Sequence, residues 1–153
     1  MRVTFPRRPD HERGYALVER DDGVVYRRYG GPAGPRLPHD IVQFVVEREL
    51  RIRDGLWGGI AAGARLDSAP GRRAGLLADL VSSAAALDHL TPAAIWRLAD
   101  AKLAGLPDAD VDPAAIAVAA RALQVEAARW ARLRVGEELC YEWPVRAARG
   151  PDR

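Results

Sequence analysis

The dipeptide Asp22-Gly23 lies between two short segments in which apolar and polar residues alternate. Alternation with a period of two is typical of a β-strand that is buried on one face. An Asp-Gly pair between two such segments predicts a tight turn, because glycine readily adopts the positive φ that these turns require. We therefore predict an antiparallel β-hairpin over residues 15–29, which residues 1–5 can join as a third strand. A two-stranded ribbon is only marginally stable alone, so this hairpin has to pack against other elements.

A similar alternation returns over residues 139–143, just ahead of Pro144. Leucine, tyrosine and tryptophan alternate there with cysteine and glutamate. Proline cannot donate a ladder hydrogen bond, so Pro144 marks the end of this segment. We predict a final strand that returns to the N-terminal hairpin, so that residues from both ends contribute to one sheet.

Helical patterns occupy the middle of the chain. Thr91-Pro92 and Asp112-Pro113 each place a side-chain acceptor at a helix N-cap and a proline in the first turn. Leucine, isoleucine and alanine follow these signals at spacings of three and four, as expected for one buried face. We predict helices over residues 71–90, from 92 to a stop at residues 105–107, and from 113 to about 133.

Residues 37–51 allow two interpretations. The run of β-branched residues over 41–46 is compatible with a buried strand. A helix is favoured because residues 47–51 continue the pattern without a break. Asp40 followed by Gln43 also fits a capping box, in which each side chain bonds a backbone N–H of the first turn.

We therefore predict an α+β fold: an N-terminal antiparallel β-hairpin or three-stranded sheet, about four helices, and a C-terminal strand that returns to the sheet. Of the 153 residues, 48% are hydrophobic, enough for one core without disulfides or a structural metal. We predict a single domain over residues 1–144 and a flexible polar tail over residues 145–153. No apolar run approaches the roughly 18 residues of a membrane span. Because no apolar signal segment follows the N-terminal arginines either, we expect a cytoplasmic protein.

The charge balance gives little reason to expect nucleic-acid binding. The chain has 23 basic and 21 acidic side chains, a net charge of +2. A nucleic-acid footprint requires basic residues clustered on one face. The pairs Arg7-Arg8, Arg27-Arg28 and Arg72-Arg73 are dispersed along the sequence, so an arginine-rich solvated surface is the expected arrangement.

The segment from Leu37 to Glu47 holds the densest set of chemically active side chains. On a helix, His39, Gln43 and Glu47 recur every four residues and Asp40 lies beside them, so they form one polar ridge. His39, Asp40 and Glu47 make a ligand set for zinc, iron or manganese. The ridge spans about 12 Å, so one ion would reach two neighbouring ligands more easily than all three. The structural alternative has Asp40 capping a helix, His39 bonded within a loop and Glu47 in solvent.

Three segments resemble a group of small, uncharacterised proteins from high-GC actinobacteria. They are Leu-Pro-His-Asp-Ile-Val-Gln-Phe-Val-Val-Glu at residues 37–47, Gly-Leu-Trp-Gly at residues 55–58 and Glu-Leu-Cys-Tyr-Glu-Trp-Pro at residues 138–144. The resemblance covers the N-terminal third and the last strand, and it brings no activity with it. In that group histidine often stands where this chain has Gln43, which implies a ridge with a second histidine. This chain departs from that pattern, which weakens the metal site described above.

Two other features carry weaker signals. Residues 54–60 are rich in glycine but match neither the P-loop nor the dinucleotide fingerprint. We predict a tight connection between helices there. Cys140 lies in the predicted last strand, where we expect a small buried hydrophobe.

The tryptophans are the remaining binding candidates. Trp96 and Trp130 fall on helical stripes, and we expect both in the core. Trp57 lies in the glycine-rich segment and Trp143 at a strand end. These two either belong to the core or, if exposed, line a pocket or a partner interface.

Two functions follow from these observations. The first is a non-catalytic binding or assembly protein that docks a protein partner or a second copy of itself. The alternative is a small metal-dependent hydrolase, with His39 and Asp40 as ligands and Glu47 as a further ligand or general base. We favour the first, because the ridge has only one histidine and no second metal-binding cluster is evident in the sequence.

Overall fold

The computed structural model describes residues 1–64, 71–104 and 111–144. Within these ranges the chain forms four strands and five helices, an α+β fold as predicted. No helix there combines the length and apolar character needed to cross a bilayer. The predicted tail over residues 145–153 and the predicted helix stop at residues 105–107 lie outside the described residues. In chain order the elements are β1 (Arg2–Pro6), β2 (Arg13–Glu19), β3 (Val25–Pro32), α1 (His39–Glu49), α2 (Leu56–Ala61), α3 (Arg72–Ala85), α4 (Pro92–Lys102), α5 (Pro113–Arg132) and β4 (Glu138–Glu142).

The strands form one antiparallel sheet in the order β3-β2-β1-β4. The predicted hairpin is confirmed, with Gly23 at a φ of 86° in its turn. The return of the last strand is confirmed as well, since β4 pairs with β1 along its whole length. β3 extends further than predicted, because the glycines at 30 and 31 stay in the strand and Pro32 lies opposite Arg13. Proline is tolerated at the end of an edge strand, so the following loop begins later than its composition suggests.

The helices form a layer on one face of the sheet. Phe5 of β1 makes edge-to-face contacts with Phe44 and Trp57, with ring centroids 6.4 and 5.7 Å apart. Tyr141 of β4 packs against Phe44 at 5.3 Å. Six inward residues of β1, β2 and β4 are buried in the same core as these rings: Val3, Phe5, Ala16, Val18, Leu139 and Tyr141.

A buried polar group joins β4 to α5. The Tyr141 hydroxyl donates to Glu126 Oε2 at 2.6 Å. Arg129 donates to both carboxylate oxygens of Glu126, at 3.0 and 2.9 Å. Burial raises the pKa of Tyr141 far above its usual range, and the hydrogen bond to Glu126 and its charge act in the same direction.

Both helix starts predicted from Thr-Pro and Asp-Pro are confirmed. Thr91 Oγ1 accepts from the Ala94 N–H at 3.2 Å, and Asp112 Oδ1 accepts from the Ala114 N–H at 2.9 Å. The expectation for Trp96 is wrong, since 47% of it is exposed. α4 turns the face that carries Ile95 and Ala99 into the core instead.

Residues 41–46 belong to α1, so the helical interpretation is confirmed. The predicted capping box is wrong. Pro38 occupies the N-cap position of α1 without a side-chain hydrogen bond, and Asp40 lies inside the first turn. The Gln43 amide donates a hydrogen bond to Glu47 Oε1 instead of to the start of the helix. The polar contact of Gln43 therefore lies toward the C-terminal end of α1.

Candidate functional site

The carboxylate of Glu47 lies where α1 meets α2. Glu47 is fully buried, and its two oxygens accept four hydrogen bonds. Oε1 accepts from the Gln43 side-chain amide at 2.8 Å and from the Leu56 N–H at 2.6 Å. Oε2 accepts from the Trp57 N–H at 2.8 Å and from the Gly58 N–H at 3.1 Å. Glu47 therefore caps α2, because the first N–H groups of a helix have no partner within the helix itself.

Glycines let the Glu47 carboxylate come this close. A Cβ atom at Gly55 would overlap the carboxylate, and a Cβ atom at Gly58 would overlap the carbonyl of Arg53. The segment predicted as a tight connection holds the six-residue helix α2. Its backbone N–H groups bind an anion much as a phosphate loop does, but the anion is the chain's own carboxylate.

The cap determines what Glu47 can do chemically. Burial raises the pKa of the Glu47 carboxyl, and its hydrogen bonds from Gln43 and from the backbone of α2 oppose that shift. An ionised carboxylate has about four lone-pair sites, and four donors fill them here. Glu47 would have to break the cap to act as a metal ligand or general base. The interpretation of Glu47 as a solvent-exposed residue is wrong, because it is fully buried.

His39 and Asp40 lie in the first turn of α1, at the opposite end of the helix from Glu47. His39 is exposed, and Asp40 is half-buried against Gly30. Burial raises the pKa of the Asp40 carboxyl, while the charges of Arg28 and His39 oppose the shift. In the part of the chain that the structure describes, no group of three or more His, Cys, Asp and Glu side chains is placed to hold a metal ion. The three predicted ligands are thus not brought together.

A cavity of about 480 Å³ opens beside His39 and Asp40. The aromatic residues of its lining include Phe5 and Trp130, which are each 2% exposed and already packed in the core. Trp130 therefore lies in the core, as predicted. Most of the remaining lining is the glycine- and proline-rich segment 30–38, which offers few side chains for chemistry.

Trp57 belongs to the core, and Trp143 packs against it. Trp57 is fully buried, contacts the ring of Phe44 edge to face at 5.5 Å and donates its indole N–H to the Asp40 carbonyl at 3.0 Å. Trp143 is partly buried, and its ring contacts the Phe44 ring edge to face at a centroid distance of 5.2 Å. Trp57 therefore has no exposed surface that could contact a partner, and only part of the Trp143 side chain is exposed.

The face of the sheet that points away from the helices is the open face. Cys140 is exposed on it, so the expected core position of Cys140 is wrong. The reason is the phase of β4, which turns Leu139 and Tyr141 inward and Cys140 outward. By strand alternation and register, the residues of the open face include Arg2, Thr4, Tyr15, Leu17, Glu19, Val25, Arg27, Tyr29, Glu138, Cys140 and Glu142.

Five residues of the open face and its border form a Tyr–Arg cluster: Arg8, Arg13, Tyr15, Arg27 and Tyr29. The rings of Tyr15 and Tyr29 are paired across β2 and β3, with centroids 5.9 Å apart. The guanidinium carbons of Arg27 and Arg8 lie 5.0 and 5.9 Å from the Tyr15 centroid. That of Arg13 lies 5.6 Å from the Tyr29 centroid, and 52% of Tyr29 is exposed.

Two arginines on or beside this face are neutralised by carboxylates. Arg2 forms ion pairs with Glu142 at 3.3 Å and with Glu19 at 3.7 Å. Arg8 forms an ion pair with Glu12. Because Arg2 lies beside two carboxylates, the β1 and β4 side of the open face carries no excess of positive charge.

Arg13 and Arg27 are different. Arg13 donates its Nε–H to the Gly30 carbonyl at 2.9 Å, and Arg27 lies over the Tyr15 ring. Within the described ranges neither of them forms an ion pair with a carboxylate. A guanidinium that lies on an aromatic ring keeps N–H donors for a carboxylate or phosphate. The cluster can therefore bind an anionic group with little reorganisation.

The sequence contains a signal for this cluster that composition and spacing do not show. Arg7-Arg8 and Arg27-Arg28 look dispersed when they are counted along the chain. The predicted hairpin over residues 15–29 places Tyr15 opposite Tyr29, as the structure has it. That register places Arg27 on the same face as the paired tyrosines.

Comparisons of the chain with protein-family models, with curated proteins and with solved structures found no match. The resemblance to small actinobacterial proteins therefore stays a prediction. The residues of the site are assigned from their positions and contacts in this chain.

Proposed function

We propose that the protein is a non-catalytic binding or assembly protein and that the Tyr–Arg cluster docks its partner. The observation that carries the proposal is the pair Arg13 and Arg27, which lie on tyrosine rings at an exposed face and form no ion pair with a carboxylate among the described residues. Tyrosine and arginine are enriched among the residues that contribute most to interface binding energy. Ring contacts also restrict the arginine side chains before binding, which lowers the entropy lost on association.

The alternative, a metal-dependent hydrolase, receives less support from the contacts. It needs His39, Asp40 and Glu47 in one coordination shell, or Glu47 free as a base. Glu47 is held by four N–H donors at the far end of α1. We propose a cytoplasmic location, since the single exposed thiol of Cys140 is compatible with a reducing compartment.

The test uses the full-length protein immobilised in three forms: wild type, Arg27→Glu/Tyr29→Ala, and the control Arg121→Glu/Val125→Ala. The control carries matched changes on an exposed face of α5. Proteins retained from cells that express the chain naturally are identified by mass spectrometry, purified and titrated by calorimetry. We expect a partner that binds wild type and the α5 variant and is lost with the open-face variant. A purified partner that binds all three forms equally would contradict the proposal.

A further inference from the structure

We infer that the open face binds an extended acidic segment of a partner protein, which joins the sheet as a fifth strand beside β3. The inference rests on the proposed function and narrows it to one partner chemistry. It follows from the free edge of β3 and from the side chains that this edge presents.

β3 lies at the end of the sheet. In the described part of the chain it pairs with β2 alone, and it is eight residues long. An edge strand of this length leaves a row of backbone N–H and C=O groups without a ladder partner. Such a row is the template that extended peptides use when they add a strand to a sheet.

The side chains at this edge determine which strand fits. Val25, Arg27 and Tyr29 occupy alternate positions of β3 on the open face, and Val25 is 60% exposed. Residues directly opposite on an adjacent strand have Cβ atoms about 4.5–5.5 Å apart. An acidic residue opposite Arg27 would be flanked by apolar residues opposite Val25 and Tyr29. Because Arg27 is the midpoint, the pattern apolar-x-acidic-x-apolar fits in either strand direction.

The contacts favour a peptide over a single-stranded nucleic acid. Bases stack on free aromatic faces, whereas Tyr15 has Arg8 and Arg27 over its ring and Tyr29 has Arg13. Carboxylates also lie on or beside the same face, where Arg2 and Arg8 already use them. A phosphate backbone would meet these negative charges, while one acidic side chain beside Arg27 would not.

The probe is the fluorescent peptide Ser-Thr-Val-Thr-Glu-Thr-Val-Thr-Ser, titrated with the full-length protein by anisotropy. We expect it to bind at least about tenfold tighter than the same peptide with lysine in place of glutamate. The Arg27→Glu variant should invert this preference, and the exposed α5 variant Arg121→Glu should retain it. A peptide N-methylated on both edges should lose binding about tenfold or more, because it can then donate no ladder hydrogen bonds to β3 in either strand direction.

Several results would overturn the inference. They are equal affinity for the glutamate and lysine peptides, no loss on N-methylation, and tighter binding of an oligothymidylate of equal length. A dimer of the chain that Arg27→Glu dissociates would also overturn it, by showing that a second copy occupies the face. If the peptide fails while a purified cellular partner still depends on Arg27 and Tyr29, the proposed function stands and only the strand-addition inference falls.

Discussion

Two charged groups of this molecule, the Glu47 cap and the Tyr–Arg cluster, have opposite arrangements. Glu47 is fully buried and bound by four N–H donors. Arg27 is exposed, lies on a tyrosine ring and lacks a carboxylate partner in the described chain. A buried charge whose hydrogen bonds are complete contributes to specifying the fold. An exposed charge that is held in place but not neutralised is available to a partner.

The comparison predicts different costs of mutation. Removing donors or space around a buried charge costs several kcal/mol, because the charge cannot regain water. Removing an exposed arginine from an aromatic ring costs about 0.5–1 kcal/mol. Stability measurements should therefore separate the two groups before any partner is known.

The largest expected effect is that of Gly55→Ala. The new methyl group would overlap the Glu47 carboxylate, so the cap cannot form as it is. We expect a loss of about 4 kcal/mol or more in the free energy of unfolding, measured by urea denaturation.

The matched control for that variant is Gly75→Ala in α3, where a Cβ atom would meet nothing within 4 Å. Replacing a helical glycine with alanine at such a position should stabilise the protein by up to about 1 kcal/mol. Equal destabilisation by both variants would contradict the cap, since it would show a general intolerance of substitution.

A smaller effect is expected for Tyr141→Phe, which removes the hydrogen bond to the second buried carboxylate, Glu126. We expect a loss of about 1.5–3 kcal/mol near neutral pH. The pKa of Tyr141 is raised in the folded protein. Above about pH 10 the unfolded chain therefore releases a proton that the folded protein keeps, and stability falls as pH rises.

The Tyr141→Phe variant has no hydroxyl at this position, so its free energy of unfolding should fall less steeply than that of wild type as the pH rises above about 10. The measurement is urea denaturation between about pH 8 and about pH 11. Tyr29→Phe, which removes a hydroxyl from an exposed residue, is the control and should keep the wild-type slope. The same slope in wild type and Tyr141→Phe would be evidence against a buried, hydrogen-bonded hydroxyl.

Arg27→Ala should change the free energy of unfolding by no more than about 1 kcal/mol. Its side chain is exposed, and its guanidinium lies over the Tyr15 ring. Chemical denaturation of wild type and variant side by side measures the difference. A loss of about 3 kcal/mol would show that the cluster supports the fold, and its assignment as a docking surface would then need revision.

The smallest expected effect concerns metal content. Because the Glu47 carboxylate is filled by N–H donors, His39→Ala should leave the zinc, iron and manganese content of the purified protein unchanged. Elemental mass spectrometry on tag-free protein, prepared without chelators, measures this content directly. Near-stoichiometric metal in wild type that disappears in His39→Ala would revive the hydrolase alternative.

Much of the fold could be predicted because its signals are local. The Asp22-Gly23 turn, the two helix starts with proline and the alternation over residues 139–143 each depend on neighbouring residues. The prediction of a capping box at Asp40 was wrong because α1 begins earlier than that pattern implies. Pro38 is the N-cap residue and makes no side-chain hydrogen bond, so Asp40 lies inside the first turn.

The site was harder to predict because its contacts join distant parts of the chain. Glu47 bonds residues nine to eleven positions later, so helical spacing alone assigned it to a polar ridge. Gly55 and Gly58 were the sequence signal for this contact, since glycines permit the close approach of another group. Arg8 and Arg27 meet over Tyr15 only once the sheet register is known.

We propose that Glu47 stabilises the fold and that Arg27 binds the partner. Urea denaturation of Glu47→Gln and Arg27→Glu, measured together with wild type, tests it most directly. The amide of Glu47→Gln presents two donors toward N–H groups that need acceptors, so we predict a loss of about 3 kcal/mol. Arg27→Glu should stay within about 1 kcal/mol of wild type. Two results would contradict these roles. One is a Glu47→Gln variant as stable as wild type, and the other is an Arg27→Glu variant that loses as much free energy of unfolding as Glu47→Gln.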